Sequence, residues 1–159
     1  MDAPSETPVT VVVVDVANVI GAAGPRGIRG SGGVTREAMG AGPEGGVPPG
    51  DRAWWRDRPG AALRLYEEIA ELAGRVAPTF VLVLEGQARE AEARIGAPHP
   101  GVRVISAARS GDDSIVTETA SLAACGESCL VVTADRELRR RCAAEGASVV
   151  GPSWLLGQL

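Results

Sequence analysis

A chain of 159 residues is the size of one domain, and its formal net charge of −4 excludes a uniformly basic nucleic-acid binder. Apolar residues make up 45% of it, ordinary for a globular fold, but no apolar run reaches the roughly 20 residues of a membrane-spanning helix. All 16 basic residues are arginine and the single histidine is His99, which excludes a P-loop lysine and a Schiff base and leaves nucleophilic triads only that one candidate.

The N-terminal stretch is acidic and polar, without the basic-then-apolar pattern of a signal peptide, so the expected location is cytoplasmic. Cys125, Cys129 and Cys142 are an odd number without a CxxC pair, which suggests neither a disulfide framework nor a zinc site. They read as small core residues.

The first strand is predicted at about Thr10–Asp15, a run of valines that ends on an acid, with Asn18 three residues on. From about 21 to 53 the chain is dominated by Gly, Pro and small or polar residues without periodicity. That composition predicts a flexible, glycine-rich insertion, either a substrate arm or an inert loop. Arg52, Arg56 and Arg58 then interleave with Trp54 and Trp55, either a base-stacking surface or packing at the start of the next helix.

A helix is predicted over about Gly60–Val76, with Pro59 in its first turn and Leu63, Tyr66, Ile69, Ala70 and Ala73 as its apolar stripe. The second strand follows at Thr79–Leu84 and ends at Glu85. A short polar helix is predicted at Gln87–Ile95, then a proline turn that holds His99. The third strand is Val102–Ser106. Ser110-Gly-Asp-Asp opens a helix to about Cys125, with Ile115, Val116, Thr119 and Leu122 facing the core. The fourth strand is Cys129–Thr133, and a helix at Arg136–Glu145 stops at Gly146. The fifth strand is Ser148–Val150, and Ser153 is the expected cap of a final helix over Trp154–Gln158. Alternating strands and helices predict βαβ units and a mainly parallel five-stranded sheet in a single α/β domain, 1–159.

Acids stand where four of these strands stop: Asp15, Glu85, Asp112 with Asp113, and Asp135. In an open parallel sheet, ligands bind beyond the carboxyl ends of the strands. Carboxylates gathered there repel one another unless a cation lies between them, and oxygen donors suit Mg²⁺ or Mn²⁺. Helix capping is the competing explanation for Asp112, Asp113 and Asp135. Arg103 and Arg109 lead up to Asp112, and Arg136, Arg139, Arg140 and Arg141 follow Asp135. They are either phosphate contacts or solvated helix faces. A haloacid-dehalogenase-type phosphatase needs a second aspartate two residues after Asp15, where Ala17 stands, and a lysine that the chain lacks.

Four segments, in order, resemble a known family. Val14–Ile20 (VDVANVI) is similar to the opening Asp-x-x-Asn motif of PIN-like nucleases, in particular the NYN branch. Val83–Ala88 (VLEGQA) resembles that branch's second strand and turn, with Glu85 where aspartate is usual. Ser110–Ile115 (SGDDSI) resembles its acidic helix start, and Val131–Glu137 (VVTADRE) its strand ending in Ser/Thr-x-Asp.

The resemblance implies an α/β/α sandwich with strand order 3-2-1-4-5 and a Mg²⁺- or Mn²⁺-dependent ribonuclease. Asp15, Asp112 and Asp135 would then be catalytic acids and metal ligands, with Asp113 and Glu85 in support. Asn18, Arg109, Thr133, Arg136, Trp55 and Arg56 are the expected substrate contacts. Single-stranded or structured RNA is the expected partner, and a homodimer the expected assembly if the chain self-associates. The competing reading is a PIN-like module that binds RNA or protein without cutting.

Overall fold

The structure, a computed structural model, describes residues 8–23 and 57–159. The elements in chain order are β1 (Val11–Asp15), α1 (Val16–Ala23), α2 (Arg58–Ala73), β2 (Thr79–Leu84), a 3-10 segment (Gly86–Arg94), β3 (Val102–Ser106), α3 (Gly111–Ala124), β4 (Cys129–Val132), α4 (Arg136–Ala144), β5 (Ser148–Val150) and α5 (Pro152–Leu156). The five strands form one parallel sheet in the order β3-β2-β1-β4-β5, as the resemblance implies.

β1 lies at the centre, with Val13 paired to Val81 on one side and to Val131 on the other. All five of its residues are buried, which explains its unbroken run of valines. Side chains alternate between the two faces. Val12 and Val14 meet Val16, Val19 and Ile20 of α1, Leu65 and Ile69 of α2, and Leu155 of α5. Val11 and Val13 share the other core with Ile115 of α3 and with Leu138 and Cys142 of α4. Both faces are thus covered, giving three layers. Among the described residues no helix is long and apolar enough to cross a membrane.

Some expectations are corrected. A helix, α1, begins directly after Asp15 and runs through Gly21 to Ala23, so Gly21 lies inside a helix instead of opening a loop. Asp15 Oδ1 accepts the Asn18 N–H at 3.3 Å, and Val16, Val19 and Ile20 supply a buried stripe that outweighs the poor helix propensity of β-branched residues. The rest of the expected insertion lies outside the described residues. Gly86–Arg94 winds as a 3-10 segment, not an α-helix. The final helix starts at Pro152, and its cap position is Gly151, so Ser153 does not cap it. Cys125 is exposed, whereas Cys129 and Cys142 are buried. Burial pushes the Cys129 thiol up to about 11, too high for a reactive thiolate at neutral pH.

His99 folds its own turn. Its Nδ1 accepts the Gly101 N–H at 3.0 Å, and its backbone N–H donates to the Tyr66 hydroxyl at 2.8 Å. The turn precedes β3, so the one histidine lies at the amino edge of the parallel sheet, away from the carboxyl rim.

Candidate functional site

The chain runs outward from β1 to β2 and β3, then returns to place β4 on the other side of β1. Strand order reverses beside β1, the position where open α/β sheets bind ligands at their carboxyl edge. Asp15 ends β1 there, only 9% exposed. Its Oδ2 accepts the Thr133 hydroxyl at 2.9 Å, in addition to the Asn18 N–H on Oδ1. Burial nevertheless raises its carboxyl to about 6, and the negative charges of Asp112 and Glu85 push in the same direction.

Asp112 stands in the first turn of α3, half-buried. Burial raises its carboxyl first, then repulsion from Asp135 and Glu85, while Arg141 lowers it. Four acids from four parts of the chain therefore share one field at one rim. Asp135 caps α4, with Oδ1 accepting the Leu138 N–H at 2.9 Å, and its own N–H donates to Thr133 Oγ1 at 3.2 Å. Asn18 Oδ1 accepts the Ala134 N–H at 2.8 Å, which ties the start of α1 to the loop after β4.

Several expected site residues have other partners. Asp113 is exposed, and its Oδ1 accepts Arg141 Nη2 at 2.9 Å. Glu85 Oε2 accepts the Gly111 N–H at 2.7 Å. Thr133 is fully buried, and its hydroxyl donates to Asp15. Arg109 and Arg136 are exposed, one just before α3 and one at the first residue of α4. Trp55 and Arg56 lie outside the described residues. The partners of Asp113 and Glu85, Arg141 and Gly111, went unassigned in the sequence; the crowded Ser-Gly-Asp-Asp start was the one hint of the second.

The donor set is entirely hard oxygen, and its mutual repulsion suits a divalent cation. As arranged, however, no group of three His, Cys, Asp or Glu among the described residues is tight enough to hold an ion. The oxygen donors of the rim suit a divalent cation in kind, but their spacing does not form a closed cage.

No protein-family model matches the chain. No curated protein matches it either. Among solved structures, it is similar to the crystal structure of a mutant of Rae1 (YacP) from Bacillus subtilis, with a TM-score of 0.58 and 16% identity. The likeness covers 94% of this chain and 74% of that one. At this identity it shows the fold alone: an α/β sandwich with a five-stranded parallel sheet, consistent with a PIN-like fold.

Proposed function

We propose that the chain is a divalent-cation-dependent ribonuclease in which Asp15, Asp112 and Asp135 hold the ion. The observation that carries the reading is the convergence of carboxylates at the β1 switch point: Asp15 is buried there, and Asp112 and Glu85 lie near enough to add to the rise that burial gives its carboxyl. Natural folds tolerate such repulsion where it serves a ligand. The motifs of the NYN branch, in the same order along the chain, support RNA as the substrate.

A bound Mg²⁺ or Mn²⁺ supplies charge neutralisation and Lewis acidity toward water and phosphate. The chain's own groups do the rest. Asp15, ionised above pH 6, gives the rim its attraction for a cation. Thr133 and the Asn18 N–H hold its two oxygens in place. Ala134 fixes Asn18 Oδ1, which leaves the side-chain amide group of Asn18 to donate to a phosphate oxygen. Arg109 and Arg136 contact the RNA backbone, as exposed arginines commonly do. Trp55 and Arg56 complete the substrate side in this reading.

A second reading, a PIN-like module that binds RNA without cutting, is favoured by the open spacing of the acids. Incubation of purified protein with single-stranded RNA and Mn²⁺ separates the two. Cleavage by the wild type, lost in both Asp15→Asn and Asp112→Asn, is the expected result. Equal cleavage by wild type and Asp15→Asn overturns the nuclease assignment. A saturable rise in melting temperature with Mn²⁺, absent in Asp15→Asn, is expected alongside.

A further inference from the structure

We propose that Glu85 is a positioning residue: an acidic cap, supplied by β2, that sets the first turn of α3 and thereby aims Asp112. This deepens the nuclease reading and rests on it for the role of Asp112, but the cap itself is independent of any activity.

Glu85 occupies the N-cap position of the 3-10 segment that follows β2, in extended conformation, yet its side chain makes no capping bond there. It reaches instead across 26 residues of sequence to the Gly111 N–H, at 2.7 Å. Gly111 is the first residue of α3, and its N–H is one of the donors that a helix start leaves unsatisfied. A carboxylate at that position also faces the positive end of the helix dipole, and a bond of this length is of the strong, charge-assisted kind.

The Ser110 side chain takes the next part of the job, accepting the Asp113 N–H at a longer 3.4 Å. The amides on both sides of Asp112 are thus fixed, one by Glu85 and one by Ser110. Asp112 itself accepts no hydrogen bond among the described residues, so its direction is inherited from these neighbours.

Gly111 is matched to Glu85. A Cβ at 111 would lie 2.6 Å from Glu85 Oε2 and 2.9 Å from its Cδ. The backbone at 111 is not left-handed, so the requirement is for space and not for conformation. Length matters equally. An aspartate at 85 is one methylene, ~1.5 Å, short of the amide that glutamate reaches.

A cap and a cation ligand order the variants oppositely. Gln keeps the reach and an accepting oxygen but loses the charge; Asp keeps the charge and loses the reach. The experiment is amide hydrogen exchange at Gly111 by NMR in Glu85→Gln, Glu85→Asp and Glu85→Ala, with RNA cleavage in Mn²⁺ measured beside it. Exchange about tenfold faster in the Asp and Ala variants than in Gln is expected, from loss of the one hydrogen bond to the Gly111 amide that Gln retains. Cleavage should rank Gln above Asp. Unchanged Gly111 protection in Glu85→Ala, or cleavage ranking Asp above Gln, overturns the proposal. If the wild type cuts no RNA, the nuclease reading fails while the exchange result still decides the cap.

Should Glu85→Ala fail to fold, Gly111→Ala gives a second route. Its drop in melting temperature in the wild type should shrink in the Glu85→Gln background, where an uncharged amide yields more easily to the new methyl group. It should vanish with Glu85→Asp, whose shorter side chain leaves the space open. An equal drop in all three backgrounds overturns the matched pair.

Discussion

The Thr133 hydroxyl donates to Asp15 Oδ2 at 2.9 Å, joining the end of β4 to the end of β1 across 118 residues of sequence. Thr133 Oγ1 in turn accepts the Asp135 N–H at 3.2 Å. One buried hydroxyl therefore fixes the side chain of one rim acid and the backbone of another. Replacing it with an isosteric apolar group tests that link. Thr133→Val is expected to cost about 1–3 kcal/mol at neutral pH, because it strips a donor from a buried carboxylate. It should also push the Asp15 carboxyl further up, since that bond is what holds it down. Thr133→Ser should recover most of the loss, as read by urea denaturation.

The Asp15 carboxyl gives the stability a pH dependence. Its ordinary value is 3.8 and its folded value about 6, so the folded chain holds a proton that the unfolded chain releases. The resulting stabilisation is full below about pH 3.8 and is lost as pH rises through 6. Asp15→Asn carries no charge to bury. Relative to the wild type it should gain stability between pH 4 and pH 8, by at most about 3 kcal/mol at 1.36 kcal/mol per pH unit. Chemical denaturation in metal-free buffer at the two pH values measures this. A variant that is no better at pH 8 than at pH 4 would show that Asp15 is not strained by its burial.

Ile115 is fully buried one turn below Asp112, in the core that α3 shares with β1 and β4. Ile115→Ala is expected to cost about 2–5 kcal/mol, the range for emptying a tightly packed core position. The midpoint of urea unfolding reads it directly. Hydrogen exchange in the first turn of α3 should rise with it.

Arg141 pairs with Asp113 at the protein surface, at 2.9 Å. Exposed pairs of this kind add little to stability. Arg141→Ala should therefore leave the melting temperature nearly unchanged. It should still push the Asp112 carboxyl further up, since Arg141 is the positive charge that lowers it. In the nuclease reading, the acid limb of the RNA-cleavage pH profile moves to higher pH. An unmoved profile would disconnect Arg141 from Asp112.

Strand positions were legible where local pattern and tertiary role agree. The valine run of β1 is apolar because both its faces are covered, so its composition announces a central strand. β2, β3 and β5 occupy the residues their patterns predict. The helix α1 was not legible: β-branched residues, an asparagine and a glycine disfavour a helix locally, and only burial against α2 and α5 overrides them. At the rim, the identities of the acids were readable and their partners were not. Nothing in the local pattern announced that Thr133 is fully buried with its hydroxyl on Asp15. Asp113 looked equivalent to Asp112, but neighbouring helix positions point about 100° apart, and one of the two meets Arg141.

The sequence by itself determined the alternation of strands and helices that makes a parallel α/β sheet, and which acids follow its strands, because hydrophobic periodicity and strand length are local properties of the chain. Only the tertiary structure decided what each acid does there. Asp15 is held by Thr133, Asp135 caps its own helix, Glu85 spans to Gly111, and Asp113 turns to Arg141. All but one of these bonds join residues far apart in the chain, and their geometry is fixed by how the helices dock on the sheet. A hydrogen bond is settled to within a few tenths of an ångström, a precision that no spacing rule along a sequence contains.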